Sequence, residues 1–290
     1  MNFKGMVFNA VASRKNGKTQ GEASRHARRA LRQRISFSET VFIATLVFLF
    51  LPLAMLVVHS FNDSAGANWT GFSLRWYQRL LESRELWRAF GNSIIIAITS
   101  AVTATVLGTL GAVGVSWYRF RLRSYAETIS FLPMILPEII IGVSLSLFFT
   151  GIGIDRGLLT IYIAHTTFNL PFVFLMVKAR LDEFDFSIIE AAQDLGASEK
   201  QALFRVTVPL CMPGIMSGLL TAITLSLEDF VITFFVAGPG SSTLPIFIQS
   251  VITRRGGILP MISALSVVMI LGTVLLCLAL RNFLRYIASK

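Results

Sequence analysis

Residues 40–58 contain no Asp, Glu, Lys or Arg, and the same holds for 90–118, 157–177 and 259–280. A bilayer core is about 30 Å thick, and a helix rising ~1.5 Å per residue needs roughly 20 apolar residues to cross it. Hydrocarbon offers backbone N–H and C=O groups no partner, so apolar runs of this length fold as helices. Composition agrees: 54% of the 290 residues are hydrophobic and 14% are charged, where water-soluble domains carry about 25% charge. The sequence predicts an all-α, polytopic membrane protein.

Six crossings are expected, at 40–58, 90–118, 128–149, 157–177, 214–236 and 259–280. The third is interrupted by Pro133, Pro137 and Glu138. With the N-terminus inside, 19 of the 26 Lys and Arg fall in the cytoplasmic pieces 1–39, 119–127, 178–213 and 281–290, and seven fall outside. Positive charge follows the cytoplasmic side, so both termini are expected there. The chain divides into a basic cytoplasmic tail (1–39), a membrane domain (40–285) carrying a cytoplasmic loop (178–213), and a short cytoplasmic C-terminus (286–290). Basic tails of this kind also suit nucleic acid, but a membrane span follows directly. No secretory signal is expected, because the first apolar run begins near Val41 and lacks a small-residue cleavage site.

Trp69, Trp76 and Trp87 fall near the outer ends of the first two spans and Trp117 near the inner end of the second, where amphipathic rings settle. Residues 73–86 read as a helix along the outer surface, with Trp76, Tyr77, Leu80 and Leu81 apolar and Arg75, Arg79 and Arg84 polar. Gly238-Pro239-Gly240-Ser241-Ser242 marks an outer turn. Beyond it, Leu244, Ile248, Val251 and Ile252 suit a second surface or partly re-entrant helix. Cys211 and Cys277 read as buried thiols, with neither disulfide nor metal site expected.

The loop between spans four and five is the most informative stretch. Ser187 with Glu190, and Ser198 with Gln201, fit the capping-box pattern. A helix from Ser187 is expected to stop at Gly196, which takes a left-handed conformation readily. A second is expected from Ser198, ending before Pro209. This is a rigid helix–Gly–helix: a capped helix between two spans moves them as a lever, where a slack loop would dissipate the motion.

Glu190-Ala191-Ala192, then Asp194-Leu195-Gly196-Ala197-Ser198, then Val208-Pro209-Leu210, resembles the "EAA" loop of permease subunits in binding-protein-dependent ABC importers. The group around Pro209 departs mildly, reading Val-Pro-Leu. The resemblance implies that residues 187–198 form a coupling helix seated on a separate ATPase. Segments 132–142, 155–160, 225–231 and 238–240, with His165, are similar to the second permease subunit of spermidine/putrescine importers. What this implies is a bacterial inner-membrane location and uptake of a small, cationic solute such as a polyamine. It also implies a second, non-identical permease, two ATP-binding subunits and a soluble binding protein outside. ATP and Mg then belong to the partner ATPase and no cofactor to this chain. Related subunits carry other solutes, such as amino-acid derivatives or opines.

Glu138, Glu228 and Asp229 are the acidic residues placed inside spans. An ionisable group there costs at least ~2.5 kcal/mol and faces a partner or a wet cavity. Contact with a cationic cargo is one reading, and protonation or pairing with an arginine of a partner subunit is the other. Glu138 is expected in the inner half of its span, and Glu228 and Asp229 on the outer side of the midplane. His165 reads as a packed, hydrogen-bonded histidine.

A secondary transporter driven by an ion gradient is the rival reading. It requires no ATPase, and the internal repeat common in that class is not evident. The chain has no Gly-x-x-x-x-Gly-Lys-Ser/Thr phosphate loop and no nucleophile-and-base constellation, so an enzyme is not expected.

Overall fold

The structure, a computed structural model, describes residues 37–288 apart from 67, 119, 184, 186 and 254–258. Most of the basic tail, Arg254, Arg255 and the Cys277 side chain lie outside what is described.

The first helix, α1 (Phe37–Ser60), belongs to a unit of its own, and none of its most apolar 18-residue stretch is buried in protein. The second unit begins with a segment organised by Asn62. Its amide bonds the carbonyl of Asn68 (2.8 Å) and the N–H of Thr70 (3.0 Å), and its own carbonyl accepts from Trp76 Nε1 (2.7 Å). Helices α2 (Arg75–Glu82) and α3 (Arg84–Trp117) follow. The surface helix expected over 73–86 is therefore two pieces, divided at Ser83, whose hydroxyl accepts from Leu86 N–H and caps α3. Trp76 is also not a boundary ring. It is 1% exposed and packs with Leu80 against Leu244, Phe247, Val251 and Leu265.

The third expected crossing is bent. Helix α4 (Arg123–Ile135) and α5 (Glu138–Gly151) meet at 104°. Leu136 before Pro137 is extended, with ψ 138°, because the proline ring excludes the α conformation from its predecessor. Pro133 is tolerated inside α4.

Helix α6 (Leu158–Glu183) is the central post. After it come α7 (Ser187–Asp194), α8 (Glu199–Ala202), a π turn (Leu203–Thr207) and α9 (Val208–Glu228). The expected stop before Pro209 does not occur: residues 199–228 form one 30-residue helix. Proline lacks an N–H and its ring crowds the preceding turn. The wider π winding makes room just there, with Val208 N–H donating to the Leu203 carbonyl. The fifth span also ends early. Helix α9 stops at Glu228, Asp229 and Phe230 break the chain, and α10 (Val231–Val236) starts anew. Then come α11 (Leu244–Thr253), as expected after the outer turn, and α12 (Leu259–Ala288), which covers the sixth expected span. Among the described residues four helices are long and apolar enough to cross a membrane, and the bent α4–α5 pair makes a fifth.

Small residues let α3, α6 and α9 approach. Ala97, Ala101, Ala104, Gly108 and Ala112 are buried along α3. A Cβ at Gly108 would stand 3.0 Å from Val173 Cβ on α6, and one at Gly214 would stand 2.9 Å from the Met176 carbonyl oxygen. Gly214 and Gly218 on α9 form a Gly-x-x-x-Gly face against α6. Within lipid, where apolar burial drives nothing, such backbone approach carries helix association.

Candidate coupling loop and acidic cluster

The loop between α6 and α9 is built from its caps. Asp185 Oδ1 accepts from Ser187 N–H at 3.0 Å, and the Asp185 carbonyl accepts from Ile188 N–H. Hydrogen bonds from Ser187 hold the Asp185 carboxyl below the usual carboxylate range. Ser187 is thus the first residue of α7 rather than its cap, and Asp185 has taken the role expected of Ser187 with Glu190. At the far end Gly196 adopts φ +90°. Its N–H donates to Gln193 O (2.8 Å) and that of Ala197 to Ala192 O (3.0 Å). This pair of bonds satisfies carbonyls the helix end leaves open. Ser198 and Gln201 then form the expected reciprocal cap on α8, at 3.4 and 2.9 Å.

Only Ile189 of α7 is buried. Ser187, Glu190, Ala191, Asp194, Leu195, Gly196, Ser198 and Pro209 are exposed, with Ala192 and Ala197 half-buried. Leu195 is 90% exposed, an apolar knob at the turn. Tyr118 at the end of α3 bonds Glu199 at the start of α8 (3.5 Å).

The three intramembrane acids come together where two helices break. Glu138 is the first residue of α5, Glu228 the last of α9, and Asp229 follows it. Gly142, one turn on from Glu138, packs against Ile232, one turn on from Glu228, which brings the two breaks together. Their surroundings differ. Glu138 and Glu228 are exposed, whereas Asp229 is buried. Asp229 Oδ1 accepts from Ile232 N–H (3.2 Å), and Oδ2 accepts from Thr233 N–H (2.8 Å), Thr233 Oγ1 (2.6 Å) and His165 Nε2 (3.1 Å). It caps α10 and pairs with a histidine of its own chain.

Thr233 spends its hydroxyl hydrogen on Asp229, so its oxygen, 2.9 Å from His165 Nε2, can only accept there. Nε2 is therefore the protonated nitrogen. Nδ1 lies 2.6 Å from Ser226 Oγ, which in turn accepts from Ser100 Oγ (3.4 Å). One chain of bonds ties α3, α9, α6 and the start of α10. A packed His165 is legible in the sequence, its partners and the break are not; Thr233, four residues after Asp229, is the local signal of a cap.

A lateral groove of about 660 Å³ between α3 and α6, lined by Ile95, Val102, Leu159 and Tyr162 among others, carries no acidic side chain.

Residues 104–290 match the family described as "Binding-protein-dependent transport system inner membrane component". The chain belongs to this family. A family member from Escherichia coli K12, "Putrescine transport system permease protein PotI", is 43% identical over 78% of this chain and 83% of its own length. The "Spermidine/putrescine transport system permease protein PotC" of Haemophilus influenzae is 39% identical, over 77% of this chain and 86% of its own. Solved ABC importers share the fold. A chain of the bacterial transporter for the acidic polysaccharide alginate superposes with a TM-score of 0.70 at 16% identity, covering 87% of this chain and 96% of that one. A chain of the MetNI methionine transporter gives 0.56 at 20% identity, over 73% and 97%. The fold and the family together make this chain a permease subunit of an ABC importer.

Proposed function

We propose that this permease moves a small polycationic solute of the polyamine class inward across a bacterial inner membrane. One observation carries the cargo: Glu138 and Glu228 stand exposed within one acidic cluster, while the third member, Asp229, is satisfied inside the protein. Two carboxylates with no cationic partner among the described residues are costly at membrane depth unless they face a wet path or a passing cation. A diamine or triamine answers both at once. Putrescine and spermidine, named for the relatives above, have that chemistry. A more distant relative, 29% identical, is named for 2-aminoethylphosphonate; the phosphonate of such a cargo would be repelled by this cluster.

Coupling fits residues 187–198. The loop is capped at both ends and turned by Gly196. Its exposed Glu190, Ala191, Asp194 and Leu195 offer a small-residue face and an apolar knob to the cleft of a cytoplasmic ATPase. ATP and Mg belong to that partner, present in two copies, and a second permease completes the path. A soluble binding protein delivers cargo from outside, and both termini of this chain face the cytoplasm.

The test is uptake of radiolabelled putrescine by proteoliposomes holding this chain, its partner permease, the ATPase and the binding protein. ATP-dependent accumulation is expected. Uptake that needs no ATP and collapses with an ion gradient would favour the secondary-transporter reading instead.

A further inference from the structure

We propose that His165 is a positioning residue for transport, a latch that holds the α5–α10 pair against the frame of α3, α6 and α9. The inference rests on the permease reading and goes beyond it.

Helices α5 and α10 are built to move together. A Cβ at Gly142 of α5 would stand 3.3 Å from the Ile232 backbone and 2.8 Å from the Phe235 ring, so the two helices touch nearly backbone to backbone. Each begins at a break in a longer span: α5 after the 104° bend at Pro137, α10 after Asp229 and Phe230. A pair joined so closely, with a bend at the start of each member, can swing as one piece.

Two kinds of contact hold α10 to the frame. Apolar packing brings Ile232 and Val236 against the α6 face of Ile161, Ala164 and Phe168, and such surfaces slide at small cost. The polar contacts are discrete. Thr160 Oγ1 donates to Val236 O at 2.8 Å at one end, and His165 donates to Asp229 at the other. His165 also takes up Ser226, and through it Ser100, so the ring is bonded to frame and swinging pair at once. Packed cores respond to force by jumping between discrete arrangements rather than by bending, and a contact that is made or broken at such a jump is a latch. Glu138 and Glu228 lie on the two sides of these breaks, so releasing the latch changes their separation and hence the hold on a cation.

The test uses the complete complex in proteoliposomes, with putrescine uptake and ATP hydrolysis measured in parallel. His165→Gln places an amide N–H where Nε2 was, and His165→Asn places one where Nδ1 was. His165→Ala and His165→Asn are expected to lose uptake about tenfold while hydrolysis without binding protein rises about fivefold, the size of an ordinary coupling free energy. His165→Gln is expected to keep uptake within about threefold of the parent. Thr233→Val, which removes one donor to Asp229 and leaves the ring, is expected to raise basal hydrolysis about twofold even if the His165 variants assemble poorly. The latch is overturned if His165→Ala retains coupled uptake, if uptake and hydrolysis fall together in all three His165 variants, or if Thr233→Val changes nothing. A parent complex that hydrolyses ATP without importing putrescine would overturn the polyamine reading alone, and the change in hydrolysis in the His165 variants would still decide the latch.

Discussion

Nε2 of His165 stands 3.1 Å from Oδ2 of Asp229, across the gap between α6 and the break that ends α9, with the two side chains 2% and 5% exposed. Removing either partner strands the other away from water. Polar pairs between membrane helices average ~0.6 kcal/mol and reach about 1.7 kcal/mol. A carboxylate with further donors from Thr233 belongs at the upper end. A double-mutant cycle of His165→Ala and Asp229→Ala, followed by unfolding in mild detergent, is expected to give a coupling of about 1.5 kcal/mol. A coupling near zero would remove the pair from the energetics of the fold.

The two exposed acids behave differently. Glu138→Gln and Glu228→Gln keep shape and remove charge where no partner among the described residues depends on it. Each is expected to raise the half-saturating putrescine concentration about tenfold, the effect of losing one charged contact of roughly 1.4 kcal/mol. Melting of the complex should shift little, since exposed substitutions cost within about 0.5 kcal/mol. Asp229→Asn is expected to show the reverse: lower complex yield with little change in half-saturation. Uptake kinetics beside a thermal melt separate the two patterns, and identical behaviour of all three variants would dissolve the distinction.

What the sequence reveals and what it hides follow one division. The spans were legible because an apolar run must be helical wherever it lies, and Gly196 and the Ser198–Gln201 cap because their partners are within a few residues. The stop at Pro209 was misplaced because a π turn at 203–207 accommodates the ring, and nothing in Leu-Phe-Arg-Val-Thr announces that winding. The break after Glu228 carries no Gly or Pro. It is held open by His165, 64 residues earlier, and a contact of that range leaves no local pattern. Trp76 was assigned to the boundary by residue type, but a carbonyl of Asn62 and the apolar face of α11 draw it inside.

Gly196 closes α7 at φ +90°, with nothing within 4 Å of where a Cβ would sit. The cost of a substitution there is backbone conformation, not crowding. A β-branched residue in this region costs about 1–3 kcal/mol. Gly196→Val is expected to leave ATP hydrolysis near the parent rate while uptake falls several-fold, because the turn that sets the lever angle relaxes. Gly196→Asn, a tolerated left-handed residue, should restore much of the coupling. Full coupling in Gly196→Val proteoliposomes would exclude a role for the turn.

Asp185 gives the loop a pH signature. Its folded value lies below the ordinary carboxylate value, near ~3.9, because Ser187 donates to the charged form. A depressed carboxylate contributes order that is complete above the unfolded value and lost as pH falls through the folded one. The start of α7 is therefore expected to stay protected between neutrality and about pH 5 and to fray only below about pH 4. Hydrogen exchange at the Ser187 and Ile188 amides reads this directly. Asp185→Asn should abolish the acid-dependent step, and an unchanged step in that variant would assign it to another group.

The approach of α9 to α6 sets the last expectation. A Cβ on Gly214 would meet Arg180 Cβ and the Met176 carbonyl at 2.9 Å, and one on Gly218 would meet Val173 Cα at 3.2 Å. Backbone atoms cannot yield as a long side chain does, so an added methyl must push the helices apart. Forcing extra volume into such a contact costs about 1–3 kcal/mol. Gly214→Ala is expected at the upper end of that range and Gly218→Ala below it. Gly114→Ala on α3, where a Cβ meets nothing within 4 Å, should be neutral or slightly stabilising, since alanine favours helix over glycine by up to about 1 kcal/mol. Unfolding in detergent of the three single variants checks the order. If Gly114→Ala proves as damaging as Gly214→Ala, the Gly-x-x-x-Gly face does not hold these two helices together.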